Sequence, residues 1–326
     1  MMSDAVGVRL RSRWLGLVVF VLGLVLIDRL LGFGLERVLD ASTPRARALR
    51  LAVEAPERNY DGIVVLGSSR ATHHFEPSEI APRLGVEVVN FGVDGQGLVF
   101  TRLLGARVLR AARPPAAIVV QFDPGDFCKP TFDRAFVLAP LAGRDDLVRK
   151  TLGHDWRSRI KLTSSLYRFN SLGPSLALST VLPTPDMGDG FVPLRGRIDP
   201  DAVVPPRDVC GADPLDPTLA ALLVELLAEA DAVGVRVAVT LGPRLRDFDG
   251  IPEAERRAIT EARLVVERGG AVWLPLDEST EAGRFGPAYY RDASHLNEEG
   301  ARRFSRLFAS ELAVRWPDLG RLGSRE

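Results

Sequence analysis

The sequence predicts an α/β fold, a three-layer sandwich around a central five-stranded parallel sheet, with one long insertion and an apolar N-terminal helix. Two observations predict the sheet: short, continuous apolar runs recur along the chain, and amphipathic helical segments separate them. Half-exposed strands alternate apolar and polar residues, whereas strands that are buried on both faces are apolar throughout. Continuous apolar runs are therefore typical of a parallel sheet covered by helices. The third observation is an uncharged apolar stretch that follows three arginines near the N-terminus.

This N-terminal stretch predicts a membrane anchor. Residues 14–27 read WLGLVVFVLGLVLI, three arginines precede them within residues 9–13, and the apolar character resumes after Asp28 and Arg29 as far as residue 35. Counted to residue 35, the segment reaches the ~20 residues that span a bilayer. A cleaved signal peptide and a buried core helix are the alternatives, but no small-residue cleavage site follows promptly. By the positive-inside rule, the chain after residue 35 lies outside the cytoplasm, as in a single-pass protein of the cell membrane.

The domain organisation follows from these patterns. We expect a cytoplasmic N-terminus at 1–13, a transmembrane anchor at 14–35, a polar stalk or short helix at 36–60 and an α/β domain at 61–320, with an insertion at 127–213. The insertion is too long for a plain loop, and it could form a lid over a site.

Strands and helices alternate within the α/β domain. Strands are predicted at residues 62–66, 86–92, 116–122, 235–241 and 271–276. Helices are predicted at residues 97–112, 216–234, 251–270 and 297–316, with a short helix or loop at 76–85. Asn297 is a suitable N-cap for the last helix. Because ligands bind at the carboxyl ends of parallel strands, the residues that follow each strand are the candidates for a site.

Composition narrows the classes of function. Basic and acidic residues number 42 each, so the net charge gives no case for nucleic-acid binding. Cys128 and Cys210 lie outside any CxxC motif or metal-ligand spacing with histidine, and we predict no metal site and no cofactor. The two cysteines could pair in an oxidising compartment, which the sequence leaves open.

The first candidate site residues follow the first strand, in Gly67-Ser68-Ser69-Arg70. One interpretation is a strand-to-helix turn in which a serine caps the next helix. The other is that one serine is a nucleophile held on the turn. The second interpretation needs a base elsewhere in the chain.

Asp292 and His295 supply such a base in the stretch RDASHLNEEG, just before the last helix. Residues three apart in a tight turn can lie on one side of the backbone, so the carboxylate can orient the imidazole as in a nucleophilic triad. The alternative is a polar turn that leads into the helix capped by Asn297.

Taken together, VVLGSSR, NFGVDG and DASHLNEEG resemble the motifs of the SGNH (GDSL-like) hydrolase superfamily, over residues 61 to about 314 without the insertion. The resemblance implies that Ser69 is the nucleophile and that its amide is an oxyanion donor. It implies Gly95 as the second amide donor, with Gly92 as the fallback, and it implies Asp292 and His295 as the acid and base.

The chain departs from the family pattern at two places. Ser68 replaces the usual aspartate, a variant that looks like the membrane-anchored branch related to D-alanine transfer and exopolysaccharide acetylation proteins. The third block has Asp123-Pro-Gly-Asp126 instead of Gly-x-Asn-Asp, so the asparagine oxyanion donor is missing, which can cost ~10²–10³ in turnover. Arg70, Asp126 and Gly92 are candidates for substrate binding, although a structural salt bridge is as good an interpretation of Arg70.

The resemblance implies an acyl-ester hydrolase or O-acyltransferase of the cell envelope, acting on an acylated small molecule, polysaccharide or lipid, with envelope biosynthesis proteins as potential partners. The alternative function is a weak or inactive scaffold of the same fold in polysaccharide assembly. An α/β-hydrolase and a dinucleotide-binding protein fit less well, because GSSRA lacks the second glycine of G-x-S-x-G and GVDGQG lacks the G-x-G-x-x-G spacing. His73 and His74 follow the serine turn and could line the cleft, but a partly exposed helix start is the preferred interpretation, and His154 is a candidate lid contact.

Overall fold

The computed structural model describes residues 2–170, 172–199, 210, 215–245, 251–277, 280 and 284–322. The helices in chain order are α1 (Met2–Ala41), α2 (Arg47–Glu54), α3 (Ser69–His74), α4 (Pro77–Leu84), α5 (Leu98–Leu109), α6 (Phe132–Ala135), α7 (Asp146–Leu152), α8 (Trp156–Thr163), α9 (Ser165–Arg168), α10 (Gly173–Ser179), α11 (Pro217–Ala232), α12 (Glu253–Arg268), α13 (Glu298–Arg315) and α14 (Leu319–Leu322). The strands are β1 (Ile63–Leu66), β2 (Val88–Asn90), β3 (Ala117–Phe122), β4 (Arg236–Leu241) and β5 (Val272–Pro275). Short 3-10 turns lie at Ala55–Glu57, Pro124–Phe127, Phe136–Gly143 and Pro287–Tyr289.

The chain divides into two compact units. Unit 1 consists of Met1–Arg50 and Phe136–Pro185, and unit 2 consists of Leu51–Ala135 and Asp186–Glu326. The predicted insertion is therefore split. Its middle part belongs with the N-terminal helix, and its remaining described residues belong with the sheet.

Unit 2 contains the five-stranded sheet, in the order β2-β1-β3-β4-β5 with all pairs parallel. The predicted α/β class and the five-stranded parallel sheet are confirmed. The strand order reverses between β1 and β3, and the carboxyl ends of these two strands form the crevice in which ligands of such sheets bind. The Gly67-Ser68-Ser69-Arg70 turn after β1 and the Asp-Pro-Gly-Asp block after β3 both start at this crevice.

Helices cover both faces of the sheet, as the continuous apolar strands predict. One face packs on α3, α4 and α13 through a core that includes Val65, Val119, Phe304 and Phe308. The other face packs on α5, α11 and α12. Gly105 permits the close approach there, because a Cβ at this position would lie 2.7 Å from Leu226 Cδ1.

Unit 1 is built on α1. The helix continues past residue 35 to Ala41, since no proline interrupts the chain before Pro44. From Trp14 to Ala41 it is long and apolar enough to cross a membrane, with a mean hydropathy of 2.3 in its most apolar window. Only 6% of that window is buried, whereas a core helix of a soluble domain would be mostly buried.

Polar side chains of α1 hold the inserted helices of unit 1. Asp28 accepts hydrogen bonds from the Ser164 hydroxyl (2.6 Å) and from the amides of Ser165 and Leu166 (2.9 Å each) at the start of α9. Gly32 lies directly against the Ser165 side chain, where a Cβ would clash. These contacts explain how two charges within an apolar helix are accommodated.

Candidate active site

The turn after β1 presents Ser69 at the first position of α3. Gly67 has a φ of +148°, and a Cβ there would lie 2.9 Å from both Gln121 Cβ and the Gln121 carbonyl oxygen. Only glycine therefore allows the turn to be this sharp. Ser68 is the N-cap residue but makes no side-chain cap; its hydroxyl donates instead to Gln121 Oε1 at 3.1 Å. The capping interpretation of this serine pair therefore has no support from the structure.

Three predicted residues converge. Ser69 Oγ lies 2.8 Å from His295 Nε2, although 226 residues separate them in the sequence. His295 Nδ1 lies 3.0 Å from both carboxylate oxygens of Asp292. The hydroxyl, the imidazole and the carboxylate thus form one hydrogen-bonded line, the arrangement in which a base can take the hydroxyl proton while a carboxylate holds its tautomer.

The turn that carries Asp292 and His295 is closed by its own backbone. Asp292 Oδ1 accepts from the amides of Ser294 (2.8 Å) and His295 (3.0 Å), and the Arg291 amide donates to the His295 carbonyl (2.8 Å). Partial burial acts to raise the pKa of Asp292, but the hydrogen bonds from Ser294 and His295 outweigh it and lower this pKa. Asp292 is therefore ionised at neutral pH. Asn297 caps α13 through the Gly300 amide at 3.0 Å, as predicted.

The two predicted glycine donors differ in their availability. The Gly92 amide already donates to Asn90 Oδ1 at 2.9 Å, so this fallback donor is engaged. Gly95 has a φ of +72°, which favours glycine, and its carbonyl accepts from Arg134 Nη1. Gly95 lies outside the helices and strands, and within the described part of the chain its amide donates to no backbone carbonyl. The availability of this amide is compatible with a role as an oxyanion donor.

The block after β3 carries charged residues and lacks the asparagine that would act as an oxyanion donor. Arg70 is 2% exposed, and its guanidinium lies 2.7 Å from Asp123 and also donates to the carbonyls of Phe122 and Gly242. These contacts favour the structural alternative for Arg70. Asp126 accepts from the amides of Leu98 (3.2 Å) and Asp123 (2.9 Å), which closes the turn.

The two acids of this block have opposite pKa shifts. Burial raises the pKa of Asp126 to about 7, and the neighbouring Asp123 charge adds to the effect. Burial also acts on Asp123, but the positive charges of Arg70 and Arg244 outweigh it and lower the pKa of that carboxyl. The cluster therefore holds one firmly ionised carboxylate and one acid that is half-protonated near neutral pH.

Three residues have contacts near the site that the sequence analysis did not assign. His74 is buried, and its Nε2 accepts from the Leu296 amide at 3.1 Å, next to the catalytic candidate His295. His73 is 6% exposed and lies between Asp94 Oδ2 (3.2 Å) and the Val192 carbonyl (2.7 Å). Both histidines were expected at a partly exposed helix start, and this expectation is wrong because the segment after β2 and the Val192 segment cover that helix.

The third of these residues is Asn90, at the end of β2. Its amide nitrogen donates to the carbonyls of Ala71 (2.7 Å) and Phe75 (2.8 Å), so it fixes α3 to β2. A buried asparagine at the carboxyl end of an apolar strand was the available signal. His154, in unit 1, lies 3.0 Å from Asp155, and a lid role for it stays a prediction.

Part of the insertion borders the site. The Val192 amide donates to the Thr72 carbonyl (3.1 Å), and the Leu194 carbonyl accepts from the Glu298 amide (2.9 Å). The Asp189 carbonyl accepts from the Asn90 amide at 2.8 Å. This strip runs from β2 across α3 to the start of α13.

A disulfide joins Cys128, just after the charged cluster, to Cys210. The Cα atoms lie 5.1 Å apart, within the usual range for a disulfide. The pairing that the sequence left open is therefore present in the structure. Among the described residues, no group of three or more histidine, cysteine, aspartate or glutamate side chains could hold a metal ion.

Fold and site together define an α/β protein with a serine, a histidine and an aspartate aligned at the carboxyl edge of a parallel sheet. No protein-family model matches the chain, and no curated protein matches it. Several solved structures are similar. An acylhydrolase of Bacteroides fragilis has 14% identity and a TM-score of 0.41, covering 82% of this chain and 94% of its own.

Two further structures are similar at the same level. A GDSL-like lipase of Bacteroides thetaiotaomicron has 11% identity and a TM-score of 0.37, covering 78% of this chain and 89% of its own. A variant of an acetyl-xylooligosaccharide esterase of Geobacillus has 12% identity and a TM-score of 0.40, covering 80% of this chain and 98% of its own. At this level of similarity, the roles of individual residues have to be argued from the geometry of the site.

Proposed function

We propose that this protein is a serine-dependent acyl-ester hydrolase or O-acyltransferase of the SGNH type. The observation that carries the proposal is the hydrogen-bonded line from Ser69 Oγ through His295 to Asp292. A structural serine at a helix start has no need of a histidine 2.8 Å away that is itself held by a carboxylate.

The mechanism follows from the direction of the hydrogen bonds. His295 Nε2 takes the proton of Ser69 Oγ as the oxygen attacks the ester carbonyl, and the negative Asp292 carboxylate stabilises the imidazolium that forms. The amides of Ser69 and Gly95 would stabilise the oxyanion. Collapse of the tetrahedral intermediate expels the alcohol, which takes the proton from His295, and leaves an acyl-serine ester. Water or a sugar hydroxyl then accepts the acyl group by the same steps in reverse.

We also propose that the protein acts in the cell envelope, anchored by α1. Two observations support this location: the apolar surface of α1 is exposed, and a disulfide is present, which persists in oxidising compartments. The polar contacts of Asp28 with α9 support a retained anchor over a cleaved signal peptide, because cleavage would remove their acceptor. Acylated polysaccharide, wall polymer or lipid is the substrate class available there, and a relation to D-alanine transfer and exopolysaccharide acetylation proteins fits this setting.

The second candidate function is a scaffold without turnover. The observation that favours it is the absence of the asparagine donor after β3, where Asp123 is instead engaged with Arg70 at 2.7 Å. Such a site would bind an acylated polymer with a weakened oxyanion hole. The two functions differ in whether Ser69 is an activated nucleophile.

Labelling with a fluorophosphonate tests this difference. The purified full chain in detergent is treated with the probe, and the adduct is located by peptide mapping. We expect an adduct on Ser69 that is lost in Ser69→Ala and His295→Ala, and that persists in Ser68→Ala and in Ser310→Ala, an exposed serine on α13. The same variants are tested for hydrolysis of a p-nitrophenyl acetate substrate.

Two results would count against the proposal. An adduct on Ser68, or equal labelling of Ser69 in His295→Ala, would contradict the assigned nucleophile and base. No adduct on a folded chain would favour the scaffold. Thermal unfolding of each variant distinguishes loss of chemistry from loss of fold.

A further inference from the structure

Unit 1 contains a cavity of about 770 Å³ between α1 and the inserted helices. Residues of α1, α7, α8 and α9 and the turn before α7 line it, and all of them belong to unit 1. A cavity of this size accommodates a small polar headgroup.

The cavity wall is basic. Five of its ten lining residues are cationic, and none is acidic: Arg29, Arg149, Lys150, Arg159 and Arg168. Three of the cations have a carboxylate neighbour outside the wall, since Arg29 lies near Asp28 (4.0 Å), Arg149 near Asp146 (2.7 Å) and Arg168 near Glu36 (2.8 Å). Within the described part of the chain, no carboxylate forms an ion pair with Lys150 or Arg159. The wall therefore carries an excess of positive charge.

The Arg168 side chain is held in place in this wall by burial and by hydrogen bonds. It is 9% exposed, its Nη2 contacts Glu36 and the Ser165 hydroxyl (3.2 Å), and its Nε makes no hydrogen bond within the described residues. Gly143 makes room for the guanidinium, because a Cβ at that position would clash with Nη1. Arg168 therefore contributes a fixed guanidinium to the wall, and the excess positive charge comes from Lys150 and Arg159.

The cavity lies beside the second half of the apolar part of α1. Arg29 follows Trp14 by fifteen residues, which is roughly 22 Å along a helix, so a span that begins at Trp14 places Arg29 in the outer third of a ~30 Å hydrocarbon layer, from which a long arginine side chain reaches toward the interface. The neighbouring inserted helices α8 to α10 expose large apolar side chains: Trp156, Ile160, Leu166, Tyr167 and Leu178. Tryptophan and tyrosine with basic residues are typical of the bilayer interface.

We propose that this cavity binds the phosphate group of an anionic lipid. Guanidinium groups match phosphate oxygens by paired hydrogen bonds, so the arginines of the wall are suited to hold a phosphate group. The exposed apolar side chains nearby favour a phosphate that arrives on a lipid over free phosphate in solution. The proposal rests on the membrane placement of α1 proposed above, and it does not depend on the chemistry at Ser69.

The test compares charge-reversal variants of the full chain. Protein incorporated into phosphatidylcholine nanodiscs with a minor share of phosphatidylglycerol is released into mild detergent, and retained lipids are counted by native mass spectrometry. Lys150→Glu and Arg159→Glu are the test variants, because each changes an exposed cation of the wall without breaking an ion pair. Arg157→Glu is the matched control, since it makes the same charge change on α8 outside the wall.

We expect retained phosphatidylglycerol on the wild-type chain. Each test variant should reduce its affinity at least about fivefold and the double variant at least about 25-fold, since the loss of one basic residue near an anionic headgroup alone accounts for about fivefold and the introduced negative charge adds to it. Arg157→Glu should stay within about twofold of the wild type. A second measurement follows the midpoint of thermal unfolding with short-chain phosphatidylglycerol, short-chain phosphatidylcholine or inorganic phosphate, of which only the first should raise it.

Three outcomes would overturn the proposal. Equal retention of both lipids would show that the cavity does not recognise the phosphate charge. An equal effect of Arg157→Glu would indicate diffuse surface attraction. Equal stabilisation by inorganic phosphate would assign the site to free phosphate. Flotation of the full chain with pure phosphatidylcholine vesicles tests the membrane placement separately, so failure of the anchor is distinguishable from failure of the lipid site.

Discussion

Arg70 and Asp123 form an ion pair of 2.7 Å in which the arginine is 2% exposed. Arg70 follows the candidate nucleophile Ser69 directly in the chain, and Asp123 begins the block after β3. The pair therefore ties the first turn of α3 to the end of the neighbouring strand. Because Arg70 also donates to the Gly242 carbonyl after β4, one side chain connects the carboxyl ends of three adjacent strands.

We predict that Arg70→Met destabilises the protein by about 2–3 kcal/mol. Loss of Arg70 leaves the Asp123 carboxylate without its ion-pair partner, and the range for fully buried pairs is reduced because Asp123 is 30% exposed and Arg244 also stabilises its charge. The matched control is Arg263→Met, which breaks an exposed pair with Glu267 on α12 and should cost less than about 0.5 kcal/mol. Urea unfolding of both variants measures the difference. Equal costs would mean that the Arg70 pair contributes no more than a surface pair.

The raised pKa of Asp126 should make the free energy of unfolding fall as the pH rises toward neutrality. Its pKa is about 7 in the folded chain against an ordinary value near 3.8, so the folded state retains a proton that the unfolded state releases. Between about pH 4 and pH 7 the folded state therefore binds more protons, and stability falls as the pH rises. Most carboxylates with lowered pKa values act in the opposite direction.

The measurement is the difference in unfolding free energy between wild type and Asp126→Asn at pH 5 and pH 8. We expect the wild type to lose on the order of 2 kcal/mol relative to the variant between these values, a figure reduced for the interaction with Asp123. Asp133→Asn, at an exposed position of α6, is the control and should leave the pH dependence unchanged. A constant difference between Asp126→Asn and wild type would contradict the shifted pKa.

The sequence was sufficient to predict the sheet and the three converging residues. Strands buried on both faces are visible as continuous apolar runs, and Ser69, Asp292 and His295 occur in short motifs whose chain positions place them at one edge of the sheet. The surroundings of these residues were not visible, because they depend on single contacts between distant segments. The hydrogen bond from the Leu296 amide to His74 spans 222 residues and leaves no periodic pattern.

The division of the insertion was equally invisible in the sequence. Residues Phe136–Pro185 join the N-terminal helix through polar contacts such as Asp28 with Ser164 and Glu36 with Arg168. Charges near the end of an apolar helix indicate an interface, but they do not show which segment, more than 130 residues away, supplies their partners. Apolar periodicity predicts what a helix buries, and it does not predict side-chain pairing of this kind.

Removal of the disulfide should destabilise the protein substantially. Cys128 and Cys210 are 82 residues apart, and closing a loop of this length in the unfolded chain corresponds to about 3–5 kcal/mol. We expect Cys128→Ala/Cys210→Ala to lower the midpoint of thermal unfolding by on the order of 10 °C. Dithiothreitol should lower the midpoint of the wild type similarly and leave the double variant unchanged. Thiol titration of the unreduced, denatured wild type should find no reactive cysteine, and two free thiols would contradict the disulfide.

His74 should act as a positioning residue for His295. It is fully buried, and desolvation lowers its pKa well below the ordinary value, so the neutral ring accepts from the Leu296 amide at 3.1 Å. His74→Leu removes this acceptor next to the catalytic turn, and we expect kcat for ester hydrolysis to fall at least tenfold with KM changed less than threefold. His74→Gln, which keeps an acceptor oxygen, should recover part of kcat. Because the folded state resists protonation of this ring, wild-type stability should also fall as the pH drops below about 6.5, and His74→Leu should lose this dependence. Equal activity of the leucine and glutamine variants, with both chains folded, would show that the hydrogen bond to Leu296 does not position the catalytic turn.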